Sequence, residues 1–406
     1  MKRKTIAVIG AGVVGVSTAY ILARQGHDVV LVDSRAEPGR GASAGNAAQL
    51  SYAYGDAMAS PALLRHLPSI ALGCDPAFRV TWSLDPHFLI WGVQFLLNAG
   101  TGPWWSNTAH ILDLAEASRR EMANLLAEVD LDFSYRVAGK LHLYPDAAAF
   151  AAARPTVERK RARGLSQTMM TRAEASVVEP ALDRFAGAIA GVIHTPHDAV
   201  GDAAAFCRGL GDHLVRHYGV TTLFDHHVTG FTRHNGRLHA VRFRDRDERP
   251  VDLAVIAAGP QVGSLLRDVP EAQAIWPVRG YSLTLPAPVD APSVSLTDVK
   301  RKLAFARIGD RFRVAGLADV APRGGGFDAA RCQVLERAAQ EVFPDLFAPT
   351  SEAWRWSGER PMTPSSRPLI GPSRRIAGLY LNIGHGMLGW TLALGTARRL
   401  ADMMAE

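Results

Sequence analysis

Three glycines near the start of the chain are spaced to hold a phosphate. Gly10, Gly12 and Gly15 form G-x-G-x-x-G. In that pattern the first glycine permits a tight turn and the second lets the backbone approach a pyrophosphate. The third lets a helix close on the preceding strand. Val13 and Val14 stand at the start of that helix, whose free N–H groups attract anions. Asp33 follows about 20 residues on, where a carboxylate accepts hydrogen bonds from an adenosine ribose, with Ser34 and Arg35 beside it. At the far end of the chain, Arg360 lies in Glu359-Arg360-Pro361-Met362-Thr363-Pro364. An arginine before a proline there could be a structural salt-bridge partner or a group that meets a ligand carboxylate. Gly384-His385-Gly386-Met387-Leu388-Gly389 reads as a glycine turn feeding a second helix N-terminus, aimed at something anionic or electron-rich.

The elements that must position these groups are legible around them. Ile6 to Ile9 is a short apolar run suited to a buried parallel strand. A helix follows over about Val14 to Gln25, then a strand from His27 to Val32 that ends on Asp33. A signal peptide or membrane span would also fit the basic start, Met1 to Lys4, and the uncharged run Thr5 to Ala23. The glycine spacing and Asp33 favour the dinucleotide fold. Ser43, Ala44, Gly45, Asn46 and Gln49 lie in a small, polar, glycine-rich loop just past the second strand, and such a loop can pass close to a ligand. Val251 to Ile256 reads as another apolar strand, ending in Ala257-Ala258-Gly259. Val228 opens a β-meander that turns at Asn235-Gly236. Leu379 to Ile383 is the strand before the last glycine turn. Two helix ends of this kind suit a flavin dinucleotide, whereas a nicotinamide enzyme has no need of the second.

Composition bounds the rest. The chain has 406 residues, is 48% hydrophobic and 21% charged, and carries a formal net charge of +6. Such a chain builds about two or three domains with real cores. The basic residues are scattered. Arg154 to Arg163, the densest cluster, lacks aromatics and reads as a solvated helix face, so no nucleic-acid partner is expected. Cys74, Cys207 and Cys332 form no C-x-x-C, and the histidines fit no ligand spacing, so no metal is expected. His87 to Leu97 is too short to span a bilayer and reads as a core helix.

The organisation expected is α/β, or α+β overall. A Rossmann-type FAD-binding domain would comprise residues 1–81, 196–274 and 357–406. A discontinuous substrate domain on a mixed sheet would comprise 82–195 and 275–356.

The sequence resembles the D-amino-acid oxidase superfamily of flavoproteins, and within it most resembles the small, catalytic subunits of bacterial D-amino-acid dehydrogenases. The resemblance rests on the glycine motif, Ser43 to Ala47, Gly201-Asp202, Arg279 to Thr284, Arg360 to Pro364 and Gly384 to Thr391. It implies non-covalent FAD with its ring between the two domains. Arg360 falls on the family's carboxylate-binding arginine, Tyr54 on an aromatic near the substrate, and Gly384 to Leu388 on the turn by the flavin pyrimidine. The implied reaction moves a hydride from the Cα of a D-amino acid to flavin N5. Hydrolysis of the imino acid then gives a 2-oxo acid and ammonia. A quinone or an artificial acceptor would take the electrons, at a site in the cytoplasm or peripheral on the inner face of the membrane; a homo-oligomer is open. Tyr54 and Tyr281 are candidates to orient the substrate, and His385, if protonated, to stabilise the reduced ring. Secondary amines such as D-hydroxyproline are the rival substrates, and a non-catalytic electron-transfer subunit is the rival class. The chain departs from the dehydrogenase pattern at Ser51 to Pro61, which bears on specificity, and at Ser365-Ser366, which reads as a surface turn of little consequence.

Overall fold

An apolar run buried on both faces needs a strand on each side of it, and Thr5–Ile9 has both. The computed structural model describes residues 3–321, 323–324, 326–347 and 352–405; Met1 and Lys2 of the basic start lie outside them. Thr5–Ile9 belongs to a six-stranded sheet in the order Leu369–Pro372, Leu379–Ile383, Leu253–Ile256, Thr5–Ile9, Asp28–Val32, Thr221–Leu223. All neighbours are parallel except the first pair. Thus the strand at Leu253 does return to the first sheet, with Ile6 opposite Leu253 and Ile9 opposite Ile256. The helix Val13–Arg24 packs on the helices Ala203–Tyr218 and Gly389–Ala405. Gly15 makes the first turn possible: a Cβ there would lie 1.7 Å from the Gly10 carbonyl oxygen.

The second sheet has nine strands of mixed direction. At one end, Trp354–Met362, Trp276–Pro286 and Arg311–Val320 run antiparallel. In the other half, Lys140–Tyr144 lies between Ser295–Asp298 and Gly191–Thr195. The meander is a third sheet, turning at Asn235 (φ 52°) and Gly236 (φ 76°). Both positive φ values suit a two-residue hairpin turn.

Three elements differ from expectation. The helix Thr101–Glu128 falls in the stretch assigned to the substrate domain, yet Ile111, Leu114, Ala115, Met122 and Leu125 share a core with Ile6 and Val8. It crosses the C-terminal helix closely at Gly395, where a Cβ would meet the Leu114 carbonyl at 2.4 Å. Helical periodicity marks an apolar face but does not say what covers it. Phe78–Val80 pairs with Arg311–Val320 in the second sheet, although it precedes residue 82. The helix Pro86–Asn98 is a surface element and not a core helix. Phe88, Trp91 and Phe95 are buried, while Leu89, Ile90, Val93, Leu96 and Leu97 are exposed. A helix apolar on all sides gives no periodic signal for which side faces in.

Candidate active site

A cavity of about 1380 Å³ is walled by residues of both large sheets. At one end stands the glycine turn. Gly10 has φ 110°, and a Cβ there would lie 2.4 Å from the Ala257 carbonyl oxygen, so only glycine fits. Asp33 grips the turn. Its Oδ2 accepts from the Ala11 N–H at 2.7 Å and its Oδ1 from the Arg35 N–H at 2.9 Å. Ser43 Oγ accepts from the Val13 N–H at 3.1 Å, which ties the polar loop to the helix start. Gly12, Val13, Val14, Ser34, Gly45, Asn46, Gln49, Val228, Ala258 and Gly259 line the same wall. Gly15 and Ala44 are not among the lining residues. Gly15 packs on Gly10, and the Ala44 N–H closes a turn onto the Gly41 carbonyl at 3.0 Å.

The second glycine turn enters the cavity from the other direction. Gly384 (φ 79°) and Gly386 (φ 55°) adopt left-handed backbone, and a Cβ on them would strike Thr363 and Met362. Gly384 to Gly389 all line the wall, ahead of the helix Gly389–Ala405. No side-chain cap occupies the start of the 3-10 turn Gly386–Leu388 that leads into this helix, or that of Val13–Arg24 at Gly12. A cavity of this volume, with a helix start at each of two places, the Asp33 carboxylate in its wall and two glycine-only turns, fits FAD.

His385 corrects an expectation. It is 4% exposed, and burial pushes its imidazole down to about 3. Its Nε2 lies 3.0 Å from Thr396 Oγ1, which itself donates to the Ala393 carbonyl. The Nε2–H must therefore be the donor, and the ring is a neutral anchor on the C-terminal helix. It does not supply an imidazolium charge.

The cavity wall also carries the arginine and tyrosines singled out from the sequence. Arg360 lines it with its Nη1 donating to the Leu317 carbonyl at 2.9 Å. No carboxylate of the described residues is within ion-pair distance of it. Neighbouring Glu359 pairs instead with Arg279 at 2.7 Å. Enclosure away from water lowers the Arg360 guanidinium to about 10, against the attraction of Asp319. Leu317 is itself unusual, a non-glycine residue at φ 58°. Strain of that kind persists only where the surroundings enforce it. Here it accompanies the register shift between Arg279 and Tyr281, and it turns the Leu317 carbonyl to Arg360.

Tyr281 also lines the cavity, but its hydroxyl donates to Asp319 Oδ2 at 3.0 Å. That commits the hydroxyl to the sheet and leaves only the ring for a ligand, contrary to the expected orienting role. Tyr54 lines the opposite wall, stacked on His142 at 3.6 Å. Lys140 and Lys160 lie over its ring at 5.1 and 4.9 Å.

Several residues in or behind the wall were not anticipated. Lys140 is 5% exposed and donates to Ser51 Oγ at 2.9 Å. Lys160 leaves the solvated face of its basic helix and pairs with Asp56 at 2.7 Å. Ser366, expected in an inconsequential surface turn, is buried and accepts the Met58 N–H at 2.9 Å. So the two departures from the dehydrogenase pattern, at Ser51 to Pro61 and at Ser365-Ser366, touch each other.

The family model described as DAO, FAD dependent oxidoreductase, matches residues 5–403. This chain belongs to that family. D-amino acid dehydrogenase 2 of Ralstonia nicotianae is 40% identical, over 99% of this chain and 96% of the relative. D-amino acid dehydrogenase 2 of Pseudomonas aeruginosa is 37% identical, over 99% and 95%. Among solved structures, glycine oxidase from Bacillus cereus superposes with a TM-score of 0.73 at 18% identity, covering 99% of this chain and 95% of that one. At that identity the likeness concerns the fold alone. An FAD-dependent oxidoreductase needs a dinucleotide cradle and a place for its substrate beside the ring. The two glycine turns, Arg360, Tyr54 and Tyr281 all line one cavity here.

Proposed function

We propose that this FAD-dependent oxidoreductase oxidises D-amino acids to 2-oxo acids and ammonia. The observation that carries the reading is Arg360, a half-buried guanidinium in the cavity wall with no carboxylate of the described residues within ion-pair distance. A partly desolvated cation facing a cavity favours an anionic partner, and a substrate carboxylate supplies one. The names of the relatives at 37–40% identity supply the amine and its configuration.

Bound FAD would supply the hydride acceptor, and the chain would do the rest. Gly10, Gly12, Val13, Asp33, Ser43 and the turn Gly384 to Leu388 would hold it. Arg360 clamps the carboxylate through two N–H bonds, which fixes the face of Cα presented for transfer. Tyr54 and Tyr281 present ring surfaces that shape the side-chain space. The FAD-holding body takes in residues 3–77, 196–274 and 363–405 together with the helix Thr101–Glu128, since Phe78–Val80 and Trp354–Met362 belong to the second sheet.

A quinone is the proposed acceptor, at the inner face of the cytoplasmic membrane. No described helix is long and apolar enough to cross a membrane. Contact would be peripheral, through Pro86–Asn98 and the residues before it, where Trp82 is 70% and Leu84 92% exposed. An apolar, aromatic-edged face on a chain of net charge +6 suits an anionic lipid surface. Burial of that face in a homo-oligomer is the competing outcome, separated by sedimentation with and without vesicles. Product analysis tests the main reading: D-amino acids plus a soluble quinone should give equal amounts of 2-oxo acid and ammonia, whereas consumption of oxygen alone would make the enzyme an oxidase.

A further inference from the structure

Lys140 is an amine that the mechanism above leaves unused. It sits on the strand Lys140–Tyr144, inside the second sheet, and lines the cavity that also holds Arg360 and Tyr54. A lysine ammonium carries three donors. Lys140 Nζ has one hydrogen-bond acceptor among the described residues, Ser51 Oγ at 2.9 Å. Ser51 is in turn fixed by its N–H donating to Thr391 Oγ1 at 3.0 Å, on the helix that follows the second glycine turn. So the amine is anchored beside the ring-facing turn, nearly removed from water, and short of acceptors.

The charged groups around it are Asp198, Lys160 and Asp56. Asp198 is already occupied by the Ala53 N–H at 3.0 Å and Thr195 Oγ1 at 3.1 Å. Asp56 is paired with Lys160. The faces packed on Lys140 otherwise offer the Tyr54 ring and neutral His142, which burial holds well below its usual range. Burial and the nearby Lys160 charge bring Lys140 down to about 8, with Asp198 and Asp56 opposing.

Several other cavity groups are taken. Tyr281 is bound to Asp319, His385 to Thr396 and Lys302 to Asp75, and burial pushes Tyr54 far above the pH where it could act as a base.

We propose that Lys140 is a catalytic residue, the base that takes a proton from the substrate's ammonium group before the hydride leaves. This rests on the amino-acid reading of the site. In the step, one substrate N–H bond breaks, its electron pair stays on the substrate nitrogen, and the proton bonds to neutral Lys140 Nζ. The two electrons of the Cα–H bond then depart with the hydride to FAD, and the nitrogen lone pair closes the C=N bond. The proton on Lys140 passes to water after product leaves. A base near the working pH suits such a transfer and contributes about 10²- to 10⁴-fold.

The test compares pH profiles of kcat/KM for the holoenzyme, Lys140→Met and Lys140→Arg. Binding of a 2-oxo acid, read from its perturbation of the flavin spectrum, is measured on each. Both variants should stay yellow and bind the 2-oxo acid as before. Both should lose about 10²-fold or more at neutral pH. The wild type should rise with pH and level near 8. The variants should keep rising, because only substrate already neutral in solution then reacts. Arginine retains the charge but cannot give up its proton, so a rescue by Lys140→Arg would overturn the proposal. So would variants that keep wild-type activity and its pH limb. Should neither variant fold, wild-type profiles with D-alanine and the more acidic ammonium of D-asparagine decide. A limb common to both supports Lys140, and one that follows the substrate overturns it. A yellow wild type that no amino acid reduces removes the substrate reading and this step together. A wild type that is reduced while Lys140→Met is unaffected removes this step alone.

Discussion

The guanidinium of Arg360 occupies the space a side chain on Gly280 would fill. A Cβ at Gly280 would lie 2.0 Å from Nη2 and 2.3 Å from Cζ. The two residues sit on paired antiparallel strands, with Val278 opposite Arg360 and Gly280 opposite Gly358. The missing side chain therefore gives the arginine its path into the cavity.

Gly280→Ala should displace the guanidinium without touching the nucleotide cradle. A misplacement of about 1 Å costs about 10²-fold. The expected result is a yellow protein with kcat/KM down by that order, mostly through KM for the carboxylate substrate. An unchanged KM would show that Arg360 has another route to its position.

Arg360→Lys keeps the charge and loses the planar fork. Activity should fall by about 10²-fold or more, with little change in the denaturation midpoint. Equal loss of activity and stability would identify Arg360 as a structural residue.

Asp319 should behave in the opposite way. Its carboxylate is 1% exposed and accepts from Tyr281, Arg79 and Arg331. Removing one member of a buried ionic cluster leaves the others uncompensated and costs about 3–5 kcal/mol. Asp319→Asn should lower stability in urea by that amount, because Arg331 keeps its charge without a counter-ion. A stable variant would mean that water relieves the cluster.

His385 predicts a pH dependence of stability. The unfolded chain takes up a proton below about pH 6.5, and the native state refuses it until about 3. This group therefore costs nothing above the upper value. On acidification it removes about 1.4 kcal/mol per unit until the lower value is reached. His385→Gln lacks the penalty. Whatever advantage the wild type has at neutral pH should shrink as pH falls toward about 5. A constant difference would mean that the imidazole titrates normally.

How much of this was legible in the sequence depended on whether the chemistry was local. Gly10, Gly12 and Gly15 with Asp33 form one continuous stretch, and each residue type answers a backbone demand found there. The same holds for Gly384 and Gly386. Arg360 could be found by resemblance, but its path over Gly280 depends on strand register. Lys140 and His142 alternate with Leu141 and Leu143, a pattern that marks a strand but does not say what faces its polar side; here Lys140 lines the cavity and Tyr54 stacks on His142. Lys160 looked like one more charge in a basic helix until Asp56, 104 residues away, met it. The partner of Thr101–Glu128 was hidden for a similar reason, since an apolar stripe does not name its counterpart.

The most direct measurement is the visible spectrum of the purified protein, mixed without air with matched D- and L-amino acids. The account predicts a yellow protein whose flavin bands bleach with D-amino acids and persist with their L enantiomers. Arg360→Lys should show the same bands and much slower bleaching. A yellow protein bleached by neither enantiomer, or an Arg360→Lys variant bleached at the wild-type rate, would contradict the carboxylate clamp on which the account rests.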